Sequence, residues 1–489
     1  MTALLVIDVG TTGLRAAVVD HSLTVRAIEY RACPPSTPAA GLVEFDAVDM
    51  AAKLLDAAET VMAAVGEPID AVGVTNQRAS TMMWDRDTGA PVGPGLGWQD
   101  LRTVGECIVA TAEHGWTLAP NQSVTKAAWL LANTPELEGR DLCIGTIDSW
   151  VAWTLTEGAA HVSDQTNASA TTNGLRTVDG SAWRDDMLAA FAIDASMLAD
   201  VVDSVGEVGR ATALPGSPPI TALLGDQQAS LIGQGCVRAG RAKITFGTGG
   251  MLDVCTDRGT PDGAHRNGAG TYPLPLWSRD GRITWGVEGI MLAAGTNVEW
   301  LRDDLGLIAS SSASHDVASE CADTGGVVYV PALLGLGTPM WDYGARGTLL
   351  GLTRGTERSH VVRAVLEGIA HRGADLVDAA SSDTGLTIDT IRIDGGMSAN
   401  PTFVQALADA TGHPIEVSPV AESTTIGAAF MAGLGIGTWT GMDDIDRLWR
   451  PAHTIEPTPG LDRRAHRARW ADAIGRAAGW IPELSALQF

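Results

Sequence analysis

Apolar residues follow two different spacings along the chain, which predicts alternating strands and helices. Short apolar runs bounded by glycines or acidic residues predict strands over residues 4–9, 16–20, 69–75, 82–85 and 390–393. Apolar residues at helical spacing predict helices over residues 46–65, 360–379 and 400–410. In the last of these, Asn400 suits the N-cap and Pro401 the first helical position. We therefore expect an α/β protein.

Two apolar segments need a closer reading. In the predicted helix 46–65 the apolar side is formed by Val48, Leu54, Leu55, Val61, Met62 and Val65. The longest apolar stretch, 426–439, has 14 residues and contains four glycines, so it is too short to span a bilayer. We expect it to form a buried helix.

One segment is repeated about half a chain apart. "IDVGTTGLRAAVVD" at 7–20 is echoed by "ITFGTGGMLDVCTD" at 244–257, each being a strand, a Gly-Thr turn and a second apolar run. A duplicated domain whose halves each present one Gly-Thr loop to a shared cleft explains the echo. The Pro/Gly-rich "ALPGSPP" at 213–219 precedes the second half. We place the N-terminal domain at 1–236 and the C-terminal domain at 237–489.

The charge of the chain narrows the range of partners. The 489 residues carry a formal net charge of −25, which argues against nucleic acid and anionic membranes as partners. A ligand that bears phosphate must then be held locally by backbone N–H groups, a metal or a few arginines. The six cysteines are scattered and form no metal or disulfide pattern. We expect a cytoplasmic protein that does not bind membranes.

The first Gly-Thr turn, "DVGTTGLR", has two interpretations. One glycine suffices for a plain hairpin, but Thr11 and Thr12 add hydroxyl groups beside exposed backbone N–H groups, and such a loop can hold phosphate oxygens. Asp8 at the end of the strand could orient Mg²⁺ through water. The second copy, Gly247 and Thr248, favours the phosphate loop, because two such loops could hold the two ends of a polyphosphate.

Three further stretches carry candidate chemistry. Asp226 in "LLGDQQASLIG" is either a helix N-cap or a general base at the edge of a sheet. The glycine pair in "DGGMSANP" lets the backbone approach a flat ligand closely. Trp98 in "GLGWQDLR" either packs in the core or covers the C–H face of a small polyhydroxy compound.

Together these stretches resemble the FGGY family of carbohydrate kinases, and within it the glycerol kinases. The resemblance runs from residue 4 to about residue 435, in family order, and the matching segments include "IDVGTTGLRAAVVD", "GVTNQRASTMMWDRDTGAPV", "GWQDLRT", "TKAAWLLAN", "VSDQTNAS", "GDQQASLIGQ", "FGTGGM", "PALLGLGTPMWDYGARGTLLGLTRG", "RAVLEGIAHR" and "DGGMSANP". It implies two actin-like/hexokinase-like (ribonuclease H-like) domains with a deep cleft between them.

The resemblance also assigns roles. It implies an ATP-dependent kinase that phosphorylates a terminal hydroxyl of a small polyol or sugar, with Mg²⁺ organised by Asp8 and with Asp226 as the base. Glu299 stands where glycerol kinases have a glutamine. We expect a homo-oligomer, a dimer or a tetramer. The implied ATP-binding residues are Thr11, Thr12, Arg15, Gly247, Thr248, Gly295, Glu299, Gly396 and Asn400. The implied acceptor-binding residues are Arg78, Ala79, Trp98, Asn121, Asp226, Gln227 and Met251.

Three positions depart from the glycerol kinase pattern. Ala79 replaces a glutamate, Asn121 an aromatic residue and Met251 a phenylalanine, so the acceptor pocket is enlarged or softened. We expect a tetritol such as erythritol or threitol to fit better than glycerol. The alternatives are a divergent glycerol kinase and a ketose (pentulose) kinase, although "NQR" at 76–78 favours a polyol.

Two alternatives from other classes are weaker. A non-kinase ATPase of the same superfold would lack the acceptor residues, and a sugar-responsive DNA-binding regulator conflicts with the charge. Bacterial glycerol kinases carry a glycine- and lysine-rich loop for a sugar bisphosphate effector, where this chain reads "ATALPGSPPI". We therefore expect that form of regulation to be absent.

Overall fold

The computed structural model describes residues 2–256, 259, 266–420 and 422–487. Its strands are, in chain order, β1 Ala3–Val9, β2 Gly13–Asp20, β3 Val25–Ala32, β4 Glu44–Phe45, β5 Ala71–Asn76, β6 Thr81–Asp85, β7 Gly95–Leu96, β8 Leu142–Thr146, β9 Val162–Asp164, β10 Asp200–Val202, β11 Val205–Arg210, β12 Pro219–Gly225, β13 Ala242–Phe246, β14 Gly250–Cys255, β15 Tyr272–Arg279, β16 Arg282–Met291, β17 Val328–Val330, β18 Thr348–Leu350, β19 Ile391–Asp394, β20 Ile415–Val417 and β21 His453–Ile455.

The α-helices are α1 Ala47–Val65, α2 Val104–His114, α3 Ser123–Asn133, α4 Ile147–Leu155, α5 Asp185–Ala190, α6 Asp226–Gly233, α7 Gly295–Asp303, α8 Ala313–Ser319, α9 Arg358–Thr384, α10 Pro401–Thr411, α11 Ser423–Gly435, α12 Asp443–Leu448, α13 Arg463–Ala477 and α14 Pro482–Ser485. Short 3₁₀ helices cover Ala195–Met197 and Gly396–Ala399. Within the described residues no helix has the length and apolar character needed to cross a membrane.

Two large sheets share one strand plan. The first has the order β11-β12-β5-β1-β2-β3 and the second β15-β16-β14-β13-β19-β20-β21. In each, a hairpin (β1–β2 or β13–β14) lies antiparallel to a further strand on one side and parallel to two crossover strands on the other. The repeated segments of the sequence are thus the same hairpin of two similar sheets, which supports the predicted duplication.

Helices cover both faces of each sheet, because the central strands are apolar on both sides. The first sheet packs against α1 and α4, and the second against α9 and α10, each forming its own core. Between the sheets, α6 packs against α11, while α11 also packs on β1, β5 and β12. The mixed α/β class and the two-domain architecture are therefore as expected.

The crossing of α6 and α11 joins the two halves. A Cβ on Gly233 would lie 1.9 Å from the carbonyl oxygen of Ser423, and one on Gly427 would lie 1.9 Å from that of Ala229. Only glycine allows backbones to approach so closely. Since α11 comes late in the chain but packs on the first sheet, the domain boundary at 236/237 stays a prediction.

Most of the strands and helices predicted from the sequence begin and end within a few residues of those in the structure. Asp46 precedes α1 as its N-cap and accepts hydrogen bonds from the backbone of Val48 and Asp49. The assignment of Val48 to the apolar side of this helix is wrong, because its side chain is 60% exposed in the first turn. The buried helix predicted over 426–439 ends earlier, at Gly435, and Trp439 packs on Phe430 from the following turn.

Candidate active site

The first Gly-Thr loop joins β1 to β2 and is a tight hairpin turn. Gly10 donates its backbone N–H to the carbonyl oxygen of Gly13 at 3.0 Å. The Trp98 indole N–H donates to Thr11 Oγ1 at 3.1 Å, so the Thr11 hydroxyl proton points elsewhere and is available to a ligand. Trp98 is half-buried and links this loop to the predicted acceptor residues. The β1–β2 turn can therefore be a tight hairpin and still bind phosphate oxygens.

Asp8 lies at the cleft end of β1 and is buried. Its Oδ2 accepts a hydrogen bond from Thr424 Oγ1 at 2.9 Å, and Arg15 Nη1 lies 3.8 Å from the same oxygen. Burial raises the pKa of Asp8, against the opposing effects of Thr424 and Arg15. The first sheet thus places one carboxylate beside its Gly-Thr loop, and α11 holds it there.

Asp394 is a buried acid of the second sheet, at the end of β19, the parallel neighbour of β13. Ser230 on α6 donates to its Oδ2 at 3.0 Å, while its buried Oδ1 has no hydrogen-bond partner within the described residues. No cluster of three or more metal-ligating side chains is found in the described part of the chain. Mg²⁺ is commonly held by one or two carboxylates together with waters and substrate phosphates, so Asp8 and Asp394 are each chemically suited to it.

The second Gly-Thr loop joins β13 to β14 and rests on the start of α7. Gly295 donates its N–H to the carbonyl oxygen of Gly247 at 2.9 Å, and Ala294 donates to that of Thr248 at 2.8 Å. A Cβ on Gly295 would lie 2.6 Å from the Gly247 oxygen, so a larger residue would displace the loop. Gly247 and Thr248 are exposed, and Glu299 is exposed on α7.

Gly396 and Asn400 flank the 3₁₀ turn after β19. Gly396 is exposed, and a Cβ there would meet nothing within 4 Å, which leaves open backbone surface for a flat ligand. Asn400 caps α10: its Oδ1 accepts from the Phe403 N–H at 3.1 Å, and its Nδ2 donates to Ser314 Oγ at 2.9 Å. Its side chain therefore fixes the turn that carries Gly396.

Asp226 is the first residue of α6, directly after β12. Gly225 is the N-cap, so the N-cap alternative for Asp226 is wrong; its Oδ1 instead accepts from the next N–H, that of Gln227, at 2.8 Å. Its side chain is 28% exposed. Burial, opposed by Arg78 and reinforced by the charge of Asp8, raises the pKa of Asp226 to about 6. A carboxylate with such a pKa suits a general base near neutral pH.

Arg78 connects Asp226 to the second domain. Its Nε lies 3.9 Å from Asp226 Oδ1, and its Nη2 donates to Glu288 Oε1 at 2.7 Å. The side chain of Glu288 is buried, and 14% of that of Arg78 is exposed. Ala79 lacks the carboxylate that the glycerol kinase pattern has next to Arg78, and Glu288 on β16 places a carboxylate against Arg78 from the second sheet.

A buried lysine joins two predicted acceptor residues. Lys126 Nζ donates to the carbonyl oxygens of Ala79 at 3.1 Å and Asn121 at 2.9 Å. Burial lowers the pKa of Lys126 to about 7. Ala79 has a positive φ of 63°, so its backbone is held in an unusual conformation. Asn121 is exposed and Met251 half-buried on β14. Ala79 and Asn121 are thus held by Lys126 through their backbones.

Sequence reasoning missed Glu288, Lys126, Lys243 and Asp253. All four are buried charges, and Lys243, Asp253 and Glu288 each interrupt an otherwise apolar strand. Charged residues are rarely buried unless they are paired or functional, so this interruption was the available signal.

The two similar sheets each carry a Gly-Thr loop on a matching hairpin and a buried acid at a strand end, which is the arrangement that the resemblance to carbohydrate kinases implies. The model of the N-terminal domain of the FGGY family of carbohydrate kinases matches residues 3–233, and that of the C-terminal domain matches residues 242–436. A glycerol kinase from Trichlorobacter lovleyi is 40% identical, covering 98% of this chain and 99% of its own, and one from Aromatoleum aromaticum is 39% identical over 98% and 100%.

The solved structures agree. A Plasmodium falciparum glycerol kinase with ADP has a TM-score of 0.89 and 29% identity, covering 98% of both chains. A xylulose kinase from Lactobacillus acidophilus has a TM-score of 0.85 at 19% identity, covering 98% of this chain and 99% of its own, and shows the fold alone. The chain belongs to the FGGY family of carbohydrate kinases and is a phosphotransferase similar to glycerol kinases.

Proposed function

We propose that this chain transfers the γ-phosphoryl group of ATP to a terminal hydroxyl of a small polyol longer than glycerol, with a tetritol as the first candidate. The observation that carries the chemistry is Asp226, a partly exposed carboxylate with a pKa of about 6 beside the guanidinium of Arg78. The bound ADP belongs to the Plasmodium relative; the two loops and the open surface at Gly396 support nucleotide binding here.

Asp226 would accept the proton of the attacking hydroxyl as its oxygen approaches the γ-phosphorus. Phosphoryl transfer depends mainly on positioning and on stabilising charge. The free hydroxyl proton of Thr11 and the backbone donors of the Gly-Thr loops would bind phosphate oxygens. Arg78 keeps Asp226 in place and is itself held by Glu288 from the other domain.

Asp8 would hold Mg²⁺, and Asp394 is a second candidate carboxylate for it. When bound, this ion neutralises charge on the phosphates. The two carboxylates are anchored from the helices that cross between the sheets, Asp8 by Thr424 of α11 and Asp394 by Ser230 of α6. Both anchoring hydroxyls therefore tie the acids of the cleft to the helix crossing that joins the domains.

The preference for a longer polyol rests on Ala79, Asn121 and Met251. Ala79 presents only a methyl group where the glycerol kinase pattern has a carboxylate, and Glu288 is already paired with Arg78. Asn121 is exposed, and its contact with Lys126 is made through its backbone. These positions thus bring no carboxylate to the hydroxyls of a three-carbon substrate, and this supports the proposal of a different acceptor.

The test is an ATP-coupled assay with Mg²⁺ that compares kcat/KM for glycerol, erythritol, threitol, xylitol, ribitol, xylulose and ribulose. We expect a tetritol to give the highest value. A value for glycerol that is highest by about tenfold or more would contradict the enlarged pocket. Glycerol is the second candidate, because relatives about 40% identical over the full chain are glycerol kinases. A pentulose with the highest value would assign a ketose kinase.

A further inference from the structure

Lys243 is a fully buried lysine beneath the candidate acceptor site. It lies on β13, and its Nζ donates to Gln227 Oε1 at 2.6 Å and to Thr245 Oγ1 at 3.1 Å. The same atom lies 2.8 Å from Asp253 Oδ2, in an ion pair whose two side chains have no exposed surface. The ammonium group of Lys243 thus donates two hydrogen bonds, and its charge is balanced by the ion pair with Asp253.

These contacts fix which end of the Gln227 amide faces the lysine. An ammonium group only donates hydrogen bonds, so the atom of Gln227 next to it must be the carbonyl oxygen. The amide NH₂ therefore points away from Lys243. Within the residues that the structure describes, no hydrogen bond from Nε2 of Gln227 to the protein is found. Gln227 is half-buried and follows Asp226 directly, so its NH₂ group is available at the cleft.

We infer that Lys243 and Asp253 are positioning residues that hold Gln227 with its NH₂ group toward the acceptor. The inference rests on the proposed function. The reacting hydroxyl gives its proton to Asp226, while a second oxygen of the acceptor receives a hydrogen bond from Gln227. The site then selects acceptors with an oxygen next to the reacting carbon that can accept a hydrogen bond, whether hydroxyl or carbonyl.

Asp253 supplies the counter-charge that a buried ammonium needs. Asp253 lies directly opposite Lys243 on β13 and Glu288 on β16, so the three side chains share one face of the sheet. Met251 lies two residues before Asp253 on β14 and therefore points to the same face. The orientation of an acceptor-binding residue on α6 is in this way set by the sheet of the second domain. Arg78 and Glu288 make the same connection from the other side of Asp226.

The test compares two variants with the wild type, using glycerol, erythritol and threitol as acceptors. The double variant Lys243→Met with Asp253→Leu removes both charges together and frees the amide to rotate. We expect its KM for the acceptor to rise by about 3- to 10-fold, the usual effect of one lost neutral hydrogen bond, with KM for ATP and kcat within about twofold. Gln227→Glu keeps the ion pair but removes the donor, and we expect kcat/KM to fall by about 10- to 100-fold.

The matched control is the double variant Arg392→Met with Glu416→Gln. It removes an ion pair of the same sheet, 3.0 Å between Nε and Oε2, that connects β19 to β20. We expect this control to lower the unfolding temperature without changing KM for the acceptor. A KM change equal to that of the Lys243 variant would show a general effect of destabilising the sheet and overturn the inference.

Two further outcomes decide the matter. The inference would be overturned, and the proposed function left intact, if the wild type is active and both variants have the same KM for the acceptor as the wild type. The two variants are Lys243→Met with Asp253→Leu, and Gln227→Glu. A wild type that phosphorylates no polyol or ketose would overturn the proposed function and the acceptor role of Gln227 with it.

A crystal structure with the preferred acceptor should place one of its oxygens next to Nε2 of Gln227; contact through Oε1 would contradict the assignment. If the double variant does not fold, Gln227→Glu still tests the donor.

Discussion

Replacing Asp226 by asparagine should remove catalysis and stabilise the protein at the same time. The carboxylate accepts the proton in the proposed mechanism, so Asp226→Asn should lower kcat by about 10²- to 10⁴-fold, the range for a lost general base. KM for ATP should stay within a few-fold, because Asp226 lies at the start of α6 and not in either Gly-Thr loop.

The stability gain follows from the raised pKa. A carboxyl whose pKa rises from its ordinary value of 3.8 to about 6 on folding costs the folded state about 3 kcal/mol when it is ionised. Because 28% of the side chain is exposed, we expect a realised gain of about 1–3 kcal/mol in Asp226→Asn at pH 8. The sign is that of an acid with a raised pKa: the folded wild type binds more protons between the two values, so its stability falls as pH rises through this range. The gain should therefore vanish below about pH 4.

The measurements are the urea unfolding midpoint at pH 8 and pH 4 and the pH dependence of kcat/KM. In the wild type kcat/KM should lose about tenfold for each pH unit below 6, because only ionised Asp226 can accept the proton. Asp148 is the matched control: burial and the charge of Asp164 raise its pKa to about 6 as well, yet it lies on α4 and bonds Ser163. Asp148→Asn should leave the acid limb of the profile in place. Near-normal turnover of Asp226→Asn, or equal stability of this variant and the wild type at pH 8, would refute the reasoning.

Two further predictions concern the loops and the helix crossing. Thr248→Val should raise KM for ATP about 10-fold, the cost of a lost hydrogen bond to a charged group, and leave KM for the acceptor unchanged. Thr11→Val should raise KM for ATP and KM for the acceptor, since Thr11 also accepts a hydrogen bond from the indole of Trp98. Steady-state kinetics with each substrate varied in turn measure the two constants. An unchanged KM for ATP in both variants would contradict the phosphate-loop assignment. Gly233→Ala should cost about 3 kcal/mol or more, because its Cβ would meet the Ser423 carbonyl at 1.9 Å. Gly475→Ala, at an exposed helical position with nothing within 4 Å, should instead gain about 1 kcal/mol by urea unfolding.

The sequence predicted the elements whose signals are local. β1 is a single apolar run, and α10 begins at an Asn-Pro pair that is typical of a helix start, so both could be located within a residue or two. The failure at Val48 has a physical reason: the buried side of α1 includes the small residues Ala47, Ala57 and Ala58, and Val48 lies off that side, so the spacing of the large apolar residues alone misplaces it. The pairing of α6 with α11 could not be predicted, because the close approach of Gly233 and Gly427 joins segments almost 200 residues apart.

In the candidate site, too, the sequence predicted local features but not long-range contacts. Asp8, Asp226 and the two Gly-Thr loops end strands, and strand ends can be read from the sequence. What stayed hidden is how each residue is held: Asp8 by Thr424, more than 400 residues away, Arg78 by Glu288, and Gln227 by Lys243. Such partners are set by the folded sheets and have no local pattern beyond a charge in an apolar strand.

The partner of Arg78 bears directly on the choice of acceptor. From the sequence, Ala79 is a missing carboxylate, and the loss of a hydrogen-bond acceptor is the reason to expect a poor fit for glycerol. In the structure Glu288 takes the place next to Arg78, but its Oε1 accepts from the guanidinium at 2.7 Å and its side chain is buried. A carboxylate engaged in this way balances the arginine and joins the two sheets, whereas Ala79 is buried and has no side-chain atom that could accept a hydrogen bond from a hydroxyl. Glu288 therefore balances the charge of Arg78 without replacing the missing hydrogen-bond acceptor, and this supports the proposal of a substrate other than glycerol.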